Sequence, residues 1–87
     1  MIHRQGDWVA ARVGDEMVMM SVSNGQYLGL NMVGACIWDM LETPKSIDAI
    51  EAQLLTQFDV SAETCRAEVA AFIEKLAAQQ AIAIDQQ

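Results

Sequence analysis

The segment Tyr27-Leu28-Gly29-Leu30-Asn31 decides the fold. Its two leucines alternate with a tyrosine and a glycine, which is the pattern of a strand that buries one face. Asn31 favours a helix start, because its side-chain oxygen can accept hydrogen bonds from the unpaired amides of a first helical turn. A short strand over 27–30 is therefore predicted to lead directly into a helix at about 32–41.

The predicted helix at 32–41 has one apolar face, whose residues recur at helical spacing. They are Gly34, Ile37, Trp38 and Leu41. Gly34 costs about 1 kcal/mol relative to alanine inside a helix, which indicates the close approach of a neighbouring backbone. Trp38 is expected in the core.

Two stretches that favour β-structure precede this segment, at 8–13 and 16–22, and Gly14-Asp15 between them is a two-residue turn signal. A second turn signal, Ser23-Asn24-Gly25-Gln26, joins them to the strand at 27–30. The sequence therefore predicts a three-stranded antiparallel meander.

Two more helices follow, each with a serine at its predicted N-cap. Ser46 begins a helix over about 47–57, and Ser61 begins a longer helix over about 62–79. Apolar side chains recur at helical spacing along both segments, so each is expected to bury one face.

Near the end of the chain, residues 81–84 are apolar and favour a short strand. Residues 85–87 are expected to fray. The order of the main elements is that of an α+β domain, winged helix-turn-helix-like, with a three-stranded antiparallel meander followed by three helices. A chain of 87 residues fits a single domain, 1–87, and so small a core is compatible with a monomer or a weak dimer.

Charge excludes some classes of partner. The chain has 12 acidic and 5 basic residues and a net charge of −7, which repels phosphate backbones and anionic membranes. The start of the chain lacks an apolar signal stretch, and Cys36 and Cys65 lie in apolar helical patterns, as reduced cysteines do. We expect a cytoplasmic protein that binds neither nucleic acid nor membranes.

The inventory of reactive side chains argues against an enzyme. His3 is the only histidine and lies in a terminus that is expected to be loose. Neither cysteine has a base or a metal ligand at a suitable spacing. No catalytic residue, metal site or cofactor is therefore predicted.

Four strings of the sequence resemble the PqqD family, also called the RiPP recognition element. Residues 25–31 are similar to its Gly-x-Tyr-x-x-Leu-Asn segment, and residues 34–41 resemble its Gly-Ala-x-Ile-Trp-x-x-Leu helix. Residues 55–60 and 69–76 look like its Asp-Val link and its final helix. The connection at 42–46 lacks the Asp-Gly often seen in PqqD itself, which favours the small discrete members of lasso-peptide pathways.

The resemblance implies a non-catalytic protein that binds the leader segment of a ribosomally made precursor peptide. Such proteins present the core peptide to modifying enzymes, here a lasso-peptide leader peptidase and cyclase, or alternatively a radical SAM enzyme served by a PqqD-type chaperone. A DNA-binding winged helix or an adaptor protein is the alternative from another class. The absence of Lys and Arg at 47–57 disfavours DNA binding.

The resemblance also implies that the leader adds a strand beside the third strand and lies over the last helix. The strand residues concerned are Gln26, Tyr27, Leu28, Gly29 and Leu30. If Cys65, Val69, Phe72 and Leu76 face the core, one flank of the last helix presents Arg66, Ala70, Ile73 and Ala77, and the opposite flank presents Glu68, Lys75 and Gln79 to solvent. The first flank is the predicted binding wall. The alternative is that its alanines pack on the sheet and that Arg66 is a surface charge.

Overall fold

A computed structural model describes residues 1–84, which form two small sheets and three helices. The elements, in chain order, are β1 Ile2–Arg4, β2 Trp8–Val13, β3 Glu16–Ser21, β4 Tyr27–Leu30, α1 Met32–Met40, α2 Ile47–Gln57, α3 Ala62–Ala78 and β5 Ile82–Ile84. One sheet is antiparallel in the order β2-β3-β4, and the other pairs β1 with β5. The predicted meander, the three helices and the terminal strand are confirmed.

The inner face of the larger sheet carries the core side chains of β3 and β4. Their register pairs Met17 with Leu30 and Met19 with Leu28, and all four side chains are buried. Tyr27 lies on the outer face and is 71% exposed. The alternation expected at 27–30 is therefore confirmed.

Each helix begins at its predicted cap. The Gly34 amide donates to the Asn31 side chain at 2.8 Å, and the serines that cap α2 and α3 each accept from the amide three residues later at 3.1 Å. Each cap satisfies an amide that has no partner within its helix. Trp38 is buried on α1, as predicted.

The beginning of the chain is ordered, so the expectation of a loose terminus around His3 is wrong. Ile2 is 2% exposed, and β1 pairs with β5 at the other end of the domain. Arg4 stacks over the Trp38 ring, with 4.4 Å from guanidinium carbon to ring centroid, and also donates to the Trp38 carbonyl. This contact fastens β1 to the end of α1. Residues 85–87, which were expected to fray, lie outside the described residues.

The turn between β3 and β4 is held by Asp7. Its carboxylate accepts from the Ser21 hydroxyl at 3.1 Å and from the Ser23 amide at 2.8 Å. Some loss of hydration alone would raise the pKa of Asp7, but the hydrogen bonds from these serines outweigh it and lower the pKa below its ordinary value of 3.8. The charged form is therefore favoured in the folded protein.

We expect Asp7→Asn to lower the thermal unfolding midpoint at pH 7. Because the folded pKa is depressed, the charged carboxylate stabilises the fold above the ordinary value of 3.8, and this contribution disappears as the pH falls through the folded pKa. Circular dichroism melts should therefore converge for the two proteins in strong acid. Asp15→Asn in the β2–β3 turn is the control. A difference between Asp7→Asn and the wild type that does not depend on pH would contradict this role.

Candidate functional site

One edge of the larger sheet, β4, has free backbone groups. The Ser21 amide donates to the Gln26 carbonyl at 2.9 Å, which fixes the phase of the antiparallel ladder. Since hydrogen-bonded and non-bonded pairs alternate, Leu28 and Leu30 direct their backbone groups to β3. Tyr27 and Gly29 direct theirs outward. Within residues 1–84, no other element bonds the outward groups. An extended peptide alongside β4 could therefore form hydrogen bonds with two amides and two carbonyls, those of Tyr27 and Gly29.

Two cavities lie along α3, one between α3 and the β3–β4 strands and one between α3 and α1. The first has a volume of about 420 Å³ and is bordered by the ends of β3 and β4, and the second has about 300 Å³ and is bordered by α1. Asn31, Phe72 and Lys75 line both of them, so the cavities are adjacent, and we call the two together the α3 groove. The walls combine apolar side chains of the core with a few polar groups, as in peptide and ligand sites generally.

The α3 residues that line the groove repeat at i, i+3, i+4 and i+7. They are Glu68, Ala71, Phe72 and Lys75. This spacing places them along one side of the helix. The flank that was expected to be merely solvated, with Glu68 and Lys75, is therefore the one that faces the groove.

The flank predicted as the binding wall does not line the α3 groove. Ile73 is only 4% exposed and belongs to the core, so the prediction that it lies on an accessible flank is wrong. Arg66 is exposed and lies 3.8 Å from the Glu51 carboxylate on α2. Ala70 is exposed and Ala77 is half-buried, and neither lines the groove. The core stripe of α3 includes Ile73, whereas Phe72 is only partly buried against it.

Gly34 lines the second cavity and lies against Phe72. A β-carbon at this position would lie 2.8 Å from Cε1 of the Phe72 ring. The close approach predicted at this glycine is therefore real, but its source is an aromatic ring and not a backbone. A glycine on α1 leaves room for the Phe72 ring, which lines both cavities.

The reactive side chains do not form a catalytic constellation within residues 1–84. Burial raises the pKa of both Cys36 and Cys65, and neighbouring carboxylates add to the shift. Both thiols are free and are kept protonated, which makes them poor nucleophiles. In the same residues, no group of three His, Cys, Asp or Glu is placed to hold a metal ion. Nor does any described helix combine the length and apolar character that crossing a membrane requires.

Comparison with known proteins defines the class that this fold and groove represent. The family model described as coenzyme PQQ synthesis protein D (PqqD) matches residues 16–82, so the chain belongs to the PqqD family. The matched region contains β3, β4 and all three helices, and therefore the whole groove. No curated protein matches the chain.

Two solved structures are similar to the whole chain. One is described as TbiB1 in complex with the TbiA(beta) leader peptide, with 26% identity, a TM-score of 0.84, and coverage of 98% of this chain and 99% of that one. The other is a lasso peptide synthetase B1 complexed with the leader peptide, with 19% identity, a TM-score of 0.81, and coverage of 95% and 98%. The second shares the fold, and the first also shares a quarter of the sequence.

Proposed function

We propose that this protein binds the leader segment of a ribosomally made precursor peptide as a fourth strand beside β4, with leader side chains in the α3 groove. The observation that carries the proposal is the outward-facing backbone of Tyr27 and Gly29 beside the first cavity of the groove, which Gly29 itself lines. Strand addition to an exposed sheet edge is a common way for a domain to bind an extended peptide. The similar TbiB1 structure is a complex with a leader peptide, which supports a leader peptide as the ligand.

Backbone pairing alone does not supply the affinity. Four hydrogen bonds at about 0.5–1.5 kcal/mol each are comparable to the entropy lost on association. Apolar leader side chains must therefore enter the two cavities, where Met17 and Leu30 line the first and Val33 and Ile37 line the second. The ladder fixes the register of the leader, and the cavities select its side chains.

The other free edge of the same sheet, β2, is a weaker candidate. No residue of β2 lines either cavity of the groove, so a peptide added there would gain backbone bonds without pockets. Arg12 of β2 is already paired with Asp39. Gly29 and Leu30 of β4 line the first cavity, which favours β4.

In this proposal the protein is not an enzyme but presents the core peptide to enzymes that modify it. We place a lasso-peptide leader peptidase and cyclase first among these enzymes, because the connection at 42–46 lacks the Asp-Gly often seen in PqqD itself. The free thiols of Cys36 and Cys65 fit a cytoplasmic setting, where thiols stay reduced.

A titration with labelled peptides tests the proposal. The probes are the N-terminal segments of precursor-like short reading frames encoded beside this gene, together with the TbiA(beta) leader. We expect saturable binding of at least one probe by fluorescence polarisation, with protection of the Tyr27 and Gly29 amides from hydrogen exchange in the complex. Failure of every probe to bind would refute the proposal, and binding that protects β2 in place of β4 would refute the site.

A further inference from the structure

Among the described residues, the α3 groove contains one cation that has no ion pair or hydrogen bond. The chain has 5 Lys and Arg against 12 Asp and Glu, so carboxylates are abundant. Four of the cations have a contact in the structure: Arg4 with Trp38, Arg12 with Asp39, Lys45 with the Thr43 hydroxyl and Arg66 with Glu51. The ammonium group of Lys75 has no ion pair or hydrogen bond within residues 1–84.

The neighbours of Lys75 on α3 explain why its ammonium group has no ion pair within residues 1–84. Side chains three or four residues apart are neighbours on a helix. The positions at those distances from Lys75 are Ala71, Phe72, Ala78 and Gln79, none of which is acidic. Glu68 on the same face is two turns away, about 10 Å along the axis. Lys75 is therefore available to a ligand.

Lys75 lies where the two cavities meet, beside Phe72. Glu16 lines only the first cavity and Glu68 lines only the second, so one positive charge is flanked by two negative ones along the groove. Opposite charges across an interface fix register and reject wrong partners more than they add affinity. This arrangement favours one carboxylate in the bound chain and disfavours further carboxylates on either side of it.

We infer that Lys75 makes the site selective for peptides with an Asp or Glu side chain at the position that passes Phe72. The inference rests on the proposed function, since it assumes a peptide beside β4. Lys75 lies on the opposite flank of α3 from Arg66, which is the cation of the binding wall predicted from the sequence. Lys75 also lies in the last turn of α3, where a positive charge interacts favourably with the helix dipole. That role alone would affect stability but not the choice of peptide.

Selection from a random peptide library displayed on phage tests the inference. The targets are the wild type, Lys75→Glu and, as a matched control on the same helix, Arg66→Glu. We expect the wild type and Arg66→Glu to enrich an acidic residue at one position of the motif, and Lys75→Glu to lose that preference or to replace it with Lys or Arg. Circular dichroism melts show whether each variant is folded.

A second measurement uses one selected peptide and its variant with the acidic residue replaced by its amide. We expect the amide to bind the wild type about three- to fivefold more weakly, and to bind Lys75→Gln as well as the acidic peptide does. The difference should shrink in high salt. Enrichment of peptides without an acidic position, or an acidic preference that Lys75→Glu retains, would overturn the inference while the proposed function stands. Enrichment of no peptide by the folded wild type would count against the proposed function itself.

Discussion

Gly29→Pro is expected to weaken leader binding by about 10–100-fold while the domain remains folded. Proline removes the amide hydrogen, and its ring occupies the space where the added strand would lie. The phase of the β3–β4 ladder places the Gly29 amide outward, so its loss costs no bond within the sheet. Loss of one hydrogen bond accounts for about 0.5–1.5 kcal/mol, and the steric conflict accounts for the rest.

Ala10→Pro on the other edge strand is the matched control. The Val22 amide donates to the Asp7 carbonyl, and the β2–β3 register then places the Ala10 amide outward from β2. Both variants thus put proline at an outward amide of an edge strand of the same sheet. We expect Ala10→Pro to bind a leader peptide like the wild type in the same titration. Equal affinities for the wild type and a folded Gly29→Pro variant would be incompatible with strand addition at β4.

Local signals predicted most of the fold. The caps at Asn31, Ser46 and Ser61, the turn at Gly14-Asp15 and the alternation at 27–30 each involve residues close in sequence, and each is present in the structure. Such features depend on backbone hydrogen bonds over a few residues, which sequence patterns report directly.

The strand β1 could not be predicted in the same way. It has three residues, and its partner β5 lies at the other end of the chain. Three residues carry too little alternation to distinguish a strand from a loose end. The pairing is stabilised by burial of Ile2 and by the contact of Arg4 with Trp38, which are both tertiary effects.

The side of α3 that faces the groove was mispredicted for a simple geometric reason. Phe72 and Ile73 are adjacent and both apolar, so the core stripe that starts at Cys65 and Val69 can continue through either of them to Leu76. The two choices differ by about 100° of rotation. Packing resolves the ambiguity, because the Phe72 ring lies against Gly34 and Ile73 fills the core. The glycine in α1 was the one sequence signal that an unusually close neighbour lay there.

The same ambiguity provides a direct test of the groove, because α3 has adjacent alanines on its two flanks. Ala71 and Ala70 are both exposed, but only Ala71 lines the second cavity. An arginine at either position is compatible with an exposed helix and adds the same charge and volume. We expect Ala71→Arg to fill the cavity beside Phe72 and to weaken leader binding at least about tenfold, because apolar leader side chains can no longer enter.

Ala70→Arg is expected to leave the affinity within about twofold of the wild type, since its flank faces away from the groove. Fluorescence polarisation with one leader peptide compares the two variants, and matched melts exclude unfolding as the cause. The opposite result, with Ala70→Arg damaging and Ala71→Arg neutral, would place the leader on the flank of Arg66 and Ala77. Because net charge and residue type are the same in the pair and the two positions are adjacent on α3, a difference in affinity reports which side of the helix the peptide contacts.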